Sequence, residues 1–191
     1  MADPAYIVDG VLTDGEAWVG IATTTLGSDT ATVTFTSPDD GSSTDWSQFM
    51  DLVLIAYTRV SAGDVNSAGY INFNNDTGTN YAKQYLYGDG SSVGAASPTD
   101  ANIYLWTVGD SAGANEFGAS VVHMFDINSG KYKSVLGRHA QDSDGDGRTA
   151  IEADTWKSQA PISEIDITAS GGNLLAGSSF SLFGILPRMV A

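Results

Sequence analysis

The 191-residue chain contains no cysteine. That excludes a disulfide scaffold, thiolate-ligated zinc, iron–sulfur clusters and any thiol nucleophile. Positive charge is scarce as well. Eight Lys and Arg stand against 23 Asp and Glu, a formal net charge of −15. A surface this acidic repels phosphate backbones and anionic headgroups, so neither nucleic acid nor a membrane is an expected partner. No apolar run reaches the roughly 18 residues of a membrane-spanning helix. The opening MADPAYIVDG lacks a basic segment followed by an apolar one, so no signal peptide is expected. The sequence holds neither a G-x-x-x-x-G-K-[ST] phosphate loop nor a G-x-S-x-G nucleophile elbow. With two histidines in all, histidine-based catalysis has little to draw on. His123 lies in the apolar run SVVHMF and reads as a core or interface residue, whereas His139, beside Arg138, reads as a surface group.

What the chain does have is turn and strand chemistry. Gly, Ser and Thr number 22, 21 and 17, a composition that favours short strands joined by many turns over helices. The length suits one domain, with residues 1–17 as an N-terminal arm and 18–191 as the folded body. Strict alternation in ATVTFT puts Val33 and Phe35 on one face and threonines on the other. The apolar run DLVLIAYTR (51–59) reads as a central strand, and Thr44 to Met50 as a short helical turn capped by Thr44 or Asp45. Residues 88–101 read as one long loop. About eleven short strands result, with turn signals about every 8 to 12 residues. That predicts an all-β, antiparallel, jelly-roll-like β-sandwich.

Candidate sites are few. Asp142, Asp144 and Asp146 alternate as in the first half of a calcium loop, with Gly147 to let the chain turn. The second half departs from that pattern, because position 12 is Ala153. Ca²⁺ is therefore the one cofactor the motif suggests, against the alternative of a hydrophilic turn. Paired carboxylates depend on the fold for their geometry, and no enzyme activity is expected. Nineteen aromatics, four of them Trp, exceed what a thin sandwich needs inside, so some are expected at contacts or stacking on sugar rings.

DWSQFMDLVLIAYTR (45–59), YINFNNDTGTNY (70–81) and GSSFSLFGI (177–185) together resemble the small jelly-roll virion proteins of tailed bacteriophages, especially marine and cyanobacterial ones. Phe183 stands where that family commonly has Tyr, and the 142–147 insertion is not part of its pattern. The resemblance implies a capsid decoration (cement) protein on the virion surface, made in the host cytoplasm. Its implied partners are the major capsid protein and its own copies as a homotrimer. The arm residues Tyr6, Ile7 and Leu12 would supply contacts. The alternatives are a head or tail fibre domain recognising host-surface glycans through loops 88–101 and 140–150, and a carbohydrate-binding module. Within FN-x-D-x-x-x-NY, Phe73 and Tyr81 are expected inside, with Asn74, Asp76 and Asn80 satisfying a tight connection. Arg59, a rare cation at a strand end, is expected to pair with a carboxylate such as Asp76.

Overall fold

The alternating segments become two facing antiparallel sheets in the computed structural model. It describes residues 18–143 and 145–187, and the backbone of a short ladder between β1 (Ile7–Val8) and β2 (Val11–Leu12). The chain continues as β3 (Trp18–Thr25), β4 (Thr32–Thr36), β5 (Asp51–Thr58), β6 (Asn66–Phe73), β7 (Tyr81–Gly88), β8 (Val93–Ala96) and β9 (Thr99–Asp100). After these come β10 (Ile103–Val108), β11 (Gly118–Phe125), β12 (Lys133–Gln141), β13 (Arg148–Trp156), β14 (Glu164–Ala169) and β15 (Ser179–Ile185). Of the arm residues expected to make contacts, Tyr6 and the side chains of Ile7 and Leu12 lie outside the described residues.

Eight strands form the core of the sandwich. β3-β15-β5-β11 are neighbours in one sheet and β4-β14-β6-β10 in the other. Counted along the chain, these orders are 1-8-3-6 and 2-7-4-5, the jelly-roll arrangement. Two insertions enlarge the first sheet. β7–β9, between β6 and β10, and β12–β13, between β11 and β14, extend it as β11-β12-β13-β7-β8, with β9 also on β7. The smaller sheet stops at β10, which packs across β11 and β12. The inserted strands β13, β7 and β8 thus form a wing that runs past the β10 edge.

Apolar inward faces bind the layers together. Val33 and Phe35, Ile71 and Phe73, and Ile165 and Ile167 from the smaller sheet meet Leu52, Leu54, Val122, Met124, Phe180 and Leu182. Burying a side chain of this size stabilises by about 1.5–3 kcal/mol. Phe73 and Tyr81 are fully buried, and Phe73 meets Trp156 edge-on at 5.5 Å. Asp76 gathers the connection between β6 and β7. It accepts from Trp156 Nε1 at 2.8 Å, Gly78 N at 3.0 Å and Asn80 Nδ2 at 3.0 Å. Burial opposes its charge, but these donors outweigh it and hold the carboxyl below the usual range. Asn74, in the left-handed region at φ 51°, accepts from the backbone of Ser163 and Glu164 and ties the same turn to β14.

Two expectations change, and a third holds in a shorter form. Arg59 pairs not with Asp76 but with Asp110, at 3.3 Å, and donates to the carbonyls of Asp110, Ala112 and Gly113. The trp-indole and amide donors already fill Asp76, and the strand end points Arg59 the other way. Residues 88–101 are not one loop, because β8 and β9 lie within them and pair with β7. The helical turn is a single 3-10 turn, Trp46–Gln48, capped by Asp45, which accepts from Ser47 N.

Candidate functional site

The inner face of the wing and of the adjoining β12 carries polar residues where a sandwich normally carries apolar ones. Strand alternation turns His139 and Gln141 of β12, Glu152 and Asp154 of β13, and Lys83 of β7 inward, and all five are buried. His139 is therefore an interior residue, not the surface group its neighbour Arg138 suggests. It lies directly across the β11–β12 ladder from Ser120 and diagonally from Glu152, which is opposite Gly137. Ser120 Oγ is 2.8 Å from His139 Nδ1, and His139 Nε2 is 3.1 Å from Glu152 Oε1.

A Ser-His-Glu chain resembles a nucleophilic triad, but the protons run the other way. Burial pushes His139 down to about 3 and pushes the Glu152 carboxyl well above its usual range, so both groups are neutral near pH 7. Ser120 Oγ donates to the Trp106 carbonyl at 3.2 Å, leaving its oxygen to accept from His139 Nδ1–H. Nε2 must then accept from the protonated Glu152, whose other oxygen takes the Trp106 indole N–H at 3.4 Å. In a working triad, serine donates to histidine and histidine to the carboxylate. Here the hydrogen bonds close a neutral ring through Trp106, which fixes the indole instead of activating Ser120.

Gly137 makes that ring possible. A Cβ there would sit 2.5 Å from His139 Nε2 and 2.7 Å from Glu152 Cγ. Gly137→Ala is expected to cost about 1–3 kcal/mol as overpacking, and each kcal/mol lowers the melting temperature of a chain this size by about 2–4 °C. Thermal unfolding of the variant checks it, and an unchanged midpoint would show that the ring can move aside.

Next to the ring, Lys83 Nζ donates to Asp100 at 2.9 Å and Asn102 at 3.0 Å and lies 3.2 Å from the Tyr104 ring centroid. Burial lowers its pKa, and burial with the nearby Asp100 charge pushes Tyr104 up to about 12. Asp154, paired across the ladder with Lys83, has no hydrogen-bond partner for either carboxyl oxygen among the described residues.

Where the wing passes β10, the aromatic side chains collect. Tyr104 and Trp106 of β10, Tyr85 and Tyr87 of β7 and Tyr70 of β6 interlock at centroid distances of 5.4 to 6.5 Å. The Arg148 guanidinium lies 4.5 Å from the Tyr87 ring and 4.8 Å from Trp106. Tyr70, Tyr85, Tyr104, Trp106 and Arg148 line a cleft of about 290 Å³, and Tyr87 packs on three of them, Tyr85, Trp106 and Arg148. The number of aromatics in the sequence suggests contacts or sugar-stacking surfaces, and it gives neither this cluster nor its place.

The outer face of the larger sheet is different again. Ile55, Val121, Arg138, Ile151 and Leu86 stand in one cross-strand row from β5 to β7. The four apolar members are 39 to 58% exposed, and Tyr57 beside them stacks on Phe117 at 5.1 Å. His123, also on this face, is held by Asp51 at 2.9 Å and stacks on Phe125.

In the calcium-like turn, Asp142 accepts from Gly145 N at 3.1 Å and Asp146 from Asn66 Nδ2 at 3.1 Å. Asp144 lies outside the described residues. No metal-holding group of three or more His, Asp or Glu occurs among the described residues.

The chain is thus a jelly-roll β-sandwich with an inserted wing, an aromatic cleft at the wing's base and an apolar row on its outer face. No family model, curated protein or solved structure matches it.

Proposed function

We propose that this chain is a virion structural protein of the capsid decoration type, seated on the shell of the major capsid protein through the outer face of the larger sheet. The observation that carries the reading is the apolar row Ile55–Val121–Ile151–Leu86, interrupted only by Arg138. Five strands at about 4.8 Å spacing make it about 19 Å long. Contiguous apolar surface of this kind marks a macromolecular contact, here on a molecule whose net charge of −15 otherwise favours solvent. The jelly-roll order and the three resembling segments agree with a virion role. In this reading the copies assemble as a homotrimer, a closed symmetry that uses one patch three times.

The copy number on purified particles, by quantitative mass spectrometry against the major capsid protein, tests this. Hundreds of copies are expected, and a few to a few tens would favour a fibre or tail part. Ile151→Asp and Leu86→Asp change exposed side chains, so both variants should fold normally yet load poorly onto bare heads. Full occupancy by both would remove the outer face as the seat.

A further inference from the structure

We propose that the aromatic cleft at the base of the wing is a binding site for a neutral saccharide. The inference is independent of the virion role and uses residues that the apolar row does not.

The cleft combines two kinds of surface that a sugar needs together. Tyr70, Tyr85 and Tyr104 are half-buried and line the cleft, so each keeps part of a ring open to it. A pyranose has a face of C–H bonds with slight positive charge, which packs on the negative face of an aromatic ring. The hydroxyls of Tyr70 and Tyr85 have no hydrogen-bond partner among the described residues, while Asp64, Ser67 and Ser170 stand along the same wall. An entirely apolar ligand would cover those polar groups without pairing them, which opposes its binding. A ligand with a C–H face and a ring of hydroxyls satisfies both. The volume of about 290 Å³ is near the lower bound of ligand pockets, roughly 300 Å³.

The rings are held in place beforehand, which limits the ordering cost of binding. Trp106 is anchored through its indole N–H and its carbonyl to Glu152 and Ser120. Tyr104 is fixed by Lys83 on its face and Asp100 at its hydroxyl. Tyr87 lies across Gly94 of β8, where a Cβ would come within 2.6 Å of the ring. Arg148 closes the set by stacking on Tyr87 and Trp106, so its charge is already taken up by ring faces and its N–H edge remains for hydroxyl oxygens. Charge decides between a neutral and an acidic sugar. Asp64 lines the cleft, Asp146 is bonded to the adjoining Asn66, and the whole chain carries −15, so an anion is repelled on approach.

The test is a glycan array of neutral saccharides together with saturation-transfer NMR, using maltotriose, cellotriose, N-acetylchitotriose and, as the anionic control, trigalacturonate. At least one neutral glycan is expected to bind and to shift the Trp106 indole resonance. Tyr70→Ala, on the outward face of β6, should weaken that binding about tenfold or more without moving the melting temperature, and Gly94→Val should do so by displacing Tyr87. Binding of no neutral glycan on the array overturns the proposal. So does binding of trigalacturonate alone, and so does affinity that survives both substitutions.

Discussion

Raising the pH through the neutral range is expected to destabilise this protein, although most of its ionisable groups are carboxyls. The effect comes from the wing's interior. Burial raises the Glu152 carboxyl above its ordinary 4.5, and burial followed by the Glu152 charge raises Asp154 above 3.8, with Lys83 opposing both. The folded state then keeps protons that the unfolded chain has lost. The stability linked to these groups is complete below their unfolded values and is lost as the pH rises through the raised folded ones. His139, pushed down to about 3, works oppositely: its contribution is present above 6.5 and lost as the pH falls toward 3. Two acids against one histidine leave stability falling from mildly acidic to mildly alkaline pH. The slope is greatest above the ordinary histidine value, where only the acids act, at up to about 1.4 kcal/mol per pH unit for each carboxyl. Melting temperatures between about pH 6 and pH 8 should therefore drop by several degrees per unit and level off above that. Glu152→Gln keeps the ring, since an amide donates to His139 Nε2 and accepts from the Trp106 indole. It should flatten about half of the slope while preserving the midpoint at about pH 6, where the native carboxyl is already protonated. Glu152→Ala should lower stability at every pH. A wild-type profile that is flat above neutrality would mean these carboxyls are ionised in place.

The second large effect is expected from Arg59→Ala. The Arg59 side chain is 7% exposed and its guanidinium gathers the carbonyls of Asp110, Ala112 and Gly113, while the Asp110 carboxylate is 63% exposed. So open a carboxylate is well solvated, and the ion pair itself contributes little. The carbonyls matter more, because hydrogen bonds from a charged donor contribute about 1.5–3 kcal/mol each, and without Arg59 the Asp110 and Ala112 carbonyls lose their donor while Gly113 keeps only the Glu116 N–H. Loss of about 3–5 kcal/mol, or about 10 °C in melting temperature, is expected from calorimetry. Asp110→Asn should cost far less. If the two variants fall equally, the salt bridge and not the carbonyl clamp holds this loop.

How much of this was legible follows from where side chains obey the period-2 rule. ATVTFT and DLVLIAYTR fold as their alternation and apolarity dictate. Strand β13, RTAIEADTW, is mostly hidden from such reading, because its inward positions include Glu152 and Asp154. A rule that sends charge outward loses the strand. The same inversion hides His139, whose partners are set by ladder register: Ser120 lies opposite it, and Gly137 leaves the room for Glu152. No local pattern carries that pairing. Strands β8 and β9 are short, small-residue segments, VGAA and TD, which acquire their form from β7 rather than from their own sequence.

The position of β15 bears on the order of events during synthesis. It lies between β3 and β5 in the sheet, and its register with β3 joins Trp18 to Ile185 across most of the chain. Until β15 has left the ribosome, β3 and β5 each present an open row of backbone donors and acceptors. Such long-range closure is slow, and the waiting chain is exposed to pairing with a neighbour. A charge of −15 makes each nascent chain repel the next. The acidity that keeps finished molecules dispersed thus also protects the interval in which β15 has yet to take its place between two earlier strands.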